Sequence, residues 1–298
     1  MWSGVVSGGK RRRQYYFLFL GLILVLGLGF LLFVLSINFQ KRPEHLANYQ
    51  KDEFYQNFFS RKNPQAEACI GGLIVPHHLF AASLIEKAFA LTQSKRVKQV
   101  IVIGPNHGEQ GHGLIITSLA TWKTNFGFLK PAQNSIRQLT KDGLVLVEEA
   151  PFQTEHSIYN LLPYIKLSFP NAKVVPLILK ARTNQKMAEY LAQRLLEISD
   201  QETIVIASLD FSHFQTPLVA AQHDQKSIKV ISGFQFEEIY SLDVDSPPTL
   251  YAFLKYLQLK KETQFNLLEN TNSGFLVHRP EIKETTSYIT GYFRCAKN

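Results

Sequence analysis

The sequence predicts an α/β domain, a central sheet flanked by helices, preceded by one N-terminal transmembrane helix. Three observations carry this expectation. Apolar, β-branched runs such as Leu73-Ile-Val75, Val100-Ile-Val-Ile103 and Ile204-Val-Ile-Ala207 suit strands buried on both faces of a sheet. Stretches with apolar residues at helical spacing lie between them, the alternation of an α/β fold. Ahead of both, Tyr15 to Ile37 is apolar apart from its two leading tyrosines and Ser36, and Lys10-Arg-Arg-Arg13 precedes it.

At ~1.5 Å per residue the N-terminal run would be roughly 34 Å long, enough for a ~30 Å hydrocarbon core. Leu35-Ser-Ile-Asn-Phe-Gln40 offers no small-x-small cleavage pattern, so an uncleaved anchor in the lipid bilayer is expected. The basic cluster places the short N-terminus in the cytoplasm and the main domain outside it, a single-pass membrane protein. On this reading residues 1–14 are a basic tail and 15–37 the transmembrane helix. Residues 38–68 are a polar stalk with a helix around Glu44 to Phe59, and residues 69–298 are the α/β domain. About 230 residues suffice for one domain with a substantial core.

Within the domain, Gly71–Pro76 reads as a strand that stops at Pro76, because proline cannot donate to a ladder. Leu79–Gln93 is a helix and Lys98–Gly104 the next strand, followed by a Gly-rich loop with His107 and His112. Leu114–Ser118 is a strand, Thr121–Phe128 a hairpin-like loop, Gln133–Thr140 a short helix and Leu144–Glu148 strand-like. Glu155–Leu167 is a helix, Ala172–Leu179 a strand, Gln185–Ser199 a helix and Thr203–Ser208 a strand. Pro217–Phe234 is a long helix, Phe236–Tyr240 a short one and Pro247–Leu259 another. Thr263–Thr271 and Thr286–Phe293 close the chain as strands.

The net charge of +8 owes part of its excess to the basic cluster near the anchor, and the other charges form mixed pairs such as Lys260-Lys-Glu262. No Arg/Lys stripe with interleaved aromatics occurs, which argues against nucleic acid as a partner. Cys69 and Cys295 lie at opposite ends of the domain. They permit one disulfide or stand as two unrelated buried thiols; neither has a partner at metal-ligand spacing.

Chemistry concentrates where strands end. His77 follows Val75-Pro76, His107 follows Gly104-Pro-Asn106, and Asp210-Phe-Ser-His213 follows the third apolar run. Open α/β sheets build their ligand sites at the carboxyl ends of strands. Imidazoles delivered to one such rim can bind a metal ion, and a further histidine can move protons near neutral pH. Glu155-His156 at a helix start is a fourth candidate.

Ile74-Val-Pro-His77, Val102-Ile-Gly-Pro-Asn-His107, Glu155-His156-Ser-Ile158 with Leu162-Pro163, and Ser208-Leu-Asp-Phe-Ser-His213 together resemble the motifs of the Memo family, called AmmeMemoRadiSam system protein B in prokaryotes. The resemblance runs in order through nearly all of residues 69–298. It implies the fold of class III extradiol dioxygenases of the LigB type, a mixed central sheet with helices on both faces. His77 and His107 match two metal-ligand histidines, Asp210 and His213 a second polar pair lining the pocket, and His156 a nearby pocket histidine, so His156, Asp210 and His213 are the expected catalytic residues. The family's third ligand is usually a cysteine. Here Ser241-Leu-Asp-Val-Asp-Ser-Pro-Pro248 has none, and Asp243 or Asp245 could replace it, completing a two-His-one-carboxylate set that favours iron over copper or zinc. His78 stands where the family usually has a small residue.

The leading expectation is thus a membrane-anchored protein with a divalent metal site and dioxygenase-like redox chemistry. The rivals are a scaffold that keeps the cleft for a metal or peptide, and a metal-dependent hydrolase with Glu155 as base. The family name further implies association with a radical-SAM protein.

Overall fold

A computed structural model describes residues 15, 17, 19–29, 43–60, 69–92, 97–279 and 281–296. The chain divides into two compact units, Met1–Arg42 and Pro43–Asn298.

In the first unit residues 15, 17 and 19–29 are helical. Residues 30–37 of the expected span lie outside the described residues, as does the basic tail. Among the described residues no helix is long and apolar enough to cross a membrane. The transmembrane helix over 15–37 and the single-pass membrane localisation are corrected accordingly.

The second unit begins well before Cys69. Strand β1 (Glu44–Ala47) pairs in parallel with β5 (Thr121–Thr124). A 3₁₀ turn and helix α1 (Gln56–Ser60) follow, with Tyr55 and Phe58 buried. The expected stalk is therefore packed protein from Pro43 to Ser60, and the predicted helix starts only at Asp52. The misreading has a physical origin. The inward positions of β1 are His45 and Ala47, so its buried face carries no apolar run to betray it.

Around these lie β2 (Ile70–Val75), α2 (Ala82–Ala90), β3 (Gln99–Pro105), β4 (Ile115–Thr117), β6 (Gly127–Pro131), α3 (Gln133–Leu139), β7 (Val145–Val147), α4 (His156–Tyr159), α5 (Leu162–Ser168), β8 (Lys173–Leu179), α6 (Gln185–Glu197), β9 (Thr203–Ser208), α7 (Pro217–Gly233), α8 (Pro247–Leu259), β10 (Gln264–Asn272), α9 (Ser273–Leu276) and β11 (Ser287–Arg294). The expected loop Thr121–Phe128 is a true hairpin of β5 and β6. The expected single helix Glu155–Leu167 is two short ones, interrupted before Pro163, which opens α5 as its missing N–H allows.

The sheet is mixed, in the order β1-β5-β6-β8-β3-β9-β2-β11-β10, with β4 pairing β7 and β8. Strands β8, β3, β9 and β2 run parallel at its centre, and β11 lies antiparallel to β2. Alternation within the central strands splits the core into two layers. Ile101, Ile103, Val205 and Ala207 face α6, α7 and α8, while Val100, Val102, Ile204 and Ile206 face α2 and α5. Helices on both faces explain why these strands read as unbroken apolar runs. A Cys69–Cys295 disulfide joins the entry to β2 with the exit from β11, and Cys295 N–H donates to the Cys69 carbonyl at 3.2 Å. The sequence left this bond open; the adjacency of β2 and β11 makes it possible.

Candidate metal centre

Strands β3, β9 and β2 are consecutive and parallel, so their carboxyl ends meet at one rim. Val75 sits opposite Ser208, and Ile103 opposite Ala207. His77 and Asp210 each follow two residues beyond a registered pair, and His107 leaves the neighbouring strand. The rings of His77 and His107 are 5.0 Å apart, that of His156 lies 5.2 Å from His77, and His156 stacks on His107 at 4.2 Å.

Two of the three imidazoles, His77 and His107, are held by partners that fix their protons. Ser208 commits its single O–H to the Ser157 carbonyl at 2.6 Å. Its oxygen can then only accept from His77 Nδ1, 3.1 Å away, so Nε2 of His77 carries the lone pair. Nε2 faces two carboxylates, Asp245 Oδ2 at 3.3 Å and Asp210 Oδ2 at 3.4 Å. His107 Nδ1 donates to Glu155 Oε1 at 2.7 Å, leaving its Nε2 4.0 Å from Asp245 Oδ2. Both oxygens of Glu155 are engaged: Oε1 also accepts from the Ser157 amide at 2.9 Å, and Oε2 accepts from the His107 amide at 2.7 Å.

Gly104 makes the His107–Glu155 contact possible. A Cβ there would lie 2.7 Å from Ser157 Oγ, so only glycine lets the start of α4 settle against the end of β3. Ser157 Oγ then donates to the Pro105 carbonyl at 2.9 Å. On the other side, the Asp210 amide donates to Asp245 Oδ2 at 3.0 Å, and the Asp245 amide donates to the Asp210 carbonyl at 3.1 Å. These bonds draw the segment before α8 onto the end of β9.

His77 is 1 % exposed, Asp210 4 % and Asp245 7 % by side chain, whereas His107 and His156 are 33 % and 40 % exposed. The cluster therefore has a buried floor and a wet rim. Burial, then the neighbouring His107 and His156, drives the His77 pKa well below its usual value. Burial, and after it the charge of Asp210, raises that of Asp245 well above the carboxylate range. Burial also raises Asp210, against the pull of His78 and His213. Glu155 behaves oppositely. Burial pushes it up, but the His107 hydrogen bond and charge and the Ser157 amide outweigh this and lower it. Burial followed by His107 lowers His156.

Two groups among the described residues can hold a metal ion, His77–His107–His156 and His77–Asp210–Asp245, and His77 belongs to both. The residues fit a divalent cation. Asp245 Oδ1 is buried and has no hydrogen-bond partner, an orphan that a cation would satisfy. Two imidazole lone pairs facing carboxylates are repulsive unless a proton or a metal lies between them.

The candidates drawn from sequence divide as follows. His77, His107, His156, Asp210 and Asp245 come together. His213 lies beside them, its pKa lowered by burial against the charges of Asp210 and Asp243. Asp243 does not join, for its Oδ2 is 2.9 Å from His223 Nδ1, in a half-exposed pair away from the cluster. His112 is exposed in its loop, its amide donating to Glu148. Sequence reasoning offered Glu155 only as a hydrolytic base and missed its grip on His107. Ser208 stood in the quoted motif at the end of β9 but was given no role.

Comparison with known proteins shows the family. The family model described as Memo-like protein matches residues 38–290. The chain belongs to the Memo-like family. A MEMO1 family protein of Saccharolobus solfataricus is 26 % identical over 189 residues, covering 60 % of this chain and 66 % of the relative. The match thus spans just under two thirds of that relative's length. A MEMO1 family protein of Caldivirga maquilingensis is 26 % identical over 215 residues, 68 % of this chain and 76 % of that protein. A solved structure of an uncharacterized Escherichia coli K12 protein matches with a TM-score of 0.47 at 12 % identity, covering 74 % of this chain and 99 % of the other. That likeness is too loose to argue from. In this Memo-like chain the start of the match at residue 38 agrees with a compact unit that begins at Pro43 rather than Cys69.

Proposed function

We propose that this Memo-like protein is a metal-dependent redox enzyme, dioxygenase-like in its chemistry, with His77 and His107 of the first group and Asp245 of the second holding one divalent ion and iron the preferred metal. The observation that carries the reading is the pair of proton-fixed imidazoles whose free Nε2 atoms converge on the buried Asp245 carboxylate. Two histidines and a carboxylate suit iron(II) better than copper(I), which prefers soft sulfur donors. Bound there, the ion supplies Lewis-acid and redox chemistry.

The chain's own groups do the rest. Ser208 and Glu155 orient the two imidazoles and raise their basicity, the role that outer hydrogen bonds play at metal sites. Asp210 adds a second carboxylate to the floor and can hold a proton at Oδ2. His156, stacked on His107 at the exposed rim, moves protons between the floor and water. His213 is a second proton carrier beside Asp210. The hydrolase reading weakens here, because Glu155, its expected base, already uses both carboxylate oxygens to hold His107 and the Ser157 amide.

The test is metal analysis of the full chain after reconstitution with iron(II) and desalting. Near one iron per chain, lost in His77→Ala while the circular dichroism stays native, is the expected result. Metal-free wild-type protein with native spectra would overturn the reading in favour of a scaffold.

A further inference from the structure

A groove of about 310 Å³ is walled by Phe80, Phe214, Val277 and Ile282, with Glu284 in its lining. None of His77, His107 and Asp245 is among its described lining residues, so what fills it is a question separate from the metal.

Hydrogen bonds fix three of the segments that form it. The Thr285 amide and hydroxyl both donate to the Gln215 carbonyl, at 2.8 and 2.9 Å. Phe214 and Glu284 are chain neighbours of this bonded pair, which holds the ring and the carboxylate on paired stretches of backbone. The Ser273 amide donates to the Thr286 carbonyl at 2.9 Å and brings α9, with the Val277 that follows it, onto the same stretch.

Two of the walls are unusual. Phe214 is 78 % exposed and Phe80 65 %, the most exposed aromatic rings among the described residues of the second unit. Phe214 also takes a left-handed backbone, φ 56°, which a bulky residue rarely adopts. Strain of this kind persists where the displayed side chain has a use.

The charge of the lining decides which ligand suits it. No Lys or Arg is among the described lining residues, and neither exposed ring is covered by a cation of the described chain. Arg279 is already paired with Glu281 at 2.9 Å, whereas Glu284 has no ion-pair partner among the described residues. An anion would meet only repulsion from Glu284. A cation would gain from both the carboxylate and the negative faces of the two rings, the arrangement by which aromatic cages hold quaternary ammonium groups. A cavity of ~150 Å³ accepts benzene, so this volume has room for a trimethylated ammonium group and a short chain.

We propose that this groove binds a small organic cation, an alkylammonium group seated against Phe80 and Phe214 with Glu284 as its counter-charge.

The test titrates choline into the full chain, dialysed against chelator, by calorimetry at pH 8, above the ordinary histidine range. Saturable one-to-one binding is expected. The neutral isostere 3,3-dimethyl-1-butanol, which replaces nitrogen by carbon, should bind at least tenfold more weakly. Choline affinity should fall about tenfold in Phe80→Ala or Phe214→Ala, the loss of one ring's attraction for the cation. Glu284→Gln should lower it about threefold, and less at high salt, as expected of a solvent-exposed charge pair. Both phenylalanines are exposed, so their variants should keep the native fold, which circular dichroism verifies. Absence of saturable choline binding, equal binding of the neutral isostere to the unaltered chain, or affinity unchanged in the Phe80→Ala/Phe214→Ala double variant overturns the proposal. Because the chain is metal-free in this experiment, none of these results bears on the metal reading.

Discussion

Two histidine–aspartate pairs of this molecule differ in everything except their chemistry. His223 and Asp243 meet at 2.9 Å and are 43 % and 35 % exposed, each open to water. His77 and Asp245 stand farther apart, at 3.3 Å, and are nearly sealed, at 1 % and 7 %. The closer pair is the weaker candidate. In water an ion pair contributes little, and neither partner depends on the other. In the buried pair Ser208 has removed the proton from the facing nitrogen, Asp245 keeps an orphan oxygen, and Asp210 adds a second carboxylate. The arrangement suits a cation. Partner satisfaction, rather than distance, distinguishes a centre from a surface contact.

The sharpest way to break this comparison is to neutralise each aspartate in turn. Asp245→Asn should lower iron affinity by about a hundredfold or more, since a buried charged ligand is lost, while Asp243→Asn should leave it within about twofold. Equal effects in a metal titration would erase the distinction between the pairs. Glu155→Gln comes next. It keeps the shape but weakens the hold on His107 Nδ1, and iron affinity should fall roughly 10- to 100-fold, the usual cost of losing an outer-shell partner.

A buried acid with all its partners supplied by the protein should report through pH instead. Asp224, beside His223 in α7, accepts from Asn270 Nδ2 and Ser287 Oγ, each at 2.6 Å. Burial, against these two hydrogen bonds, raises its pKa to about 6. The folded chain then binds a proton between pH ~4 and ~6 that the unfolded chain releases, so stability falls as pH rises through that window and stays lower above it. Denaturant unfolding across pH 4–7 should show a slope that Asp224→Asn reduces by ~2 kcal/mol, with iron content unchanged. A slope identical in the variant would mean that Asp224 is not the titrating group.

How much of this was legible in the sequence follows from what each strand buries. Strands β2, β3 and β9 announce themselves because helices cover both their faces, and the residues just past them are the chemistry. That one rim gathers His77, His107 and Asp210 was therefore readable from the strand ends. The choice between Asp243 and Asp245 was not, because it depends on which of two nearby carboxylates the amide of Asp210 captures. Strand β1 stayed hidden because its inward face is His45 and Ala47, and His45 is accommodated by Glu149 at 2.7 Å, a partner 104 residues away. At the N-terminus the apolar composition of 15–37 led to an anchor, and among the described residues no helix is long and apolar enough to cross a membrane. Glu155 was visible as a residue but not as the partner of His107, which requires the close approach that Gly104 permits.

The central claim is that two imidazoles and the Asp245 carboxylate converge on one cation. X-ray absorption at the iron edge of the reconstituted full-length protein tests it most directly. The account predicts a first shell of two imidazole nitrogens with light-atom oxygen ligands. A shell of oxygens without imidazole scattering would contradict it.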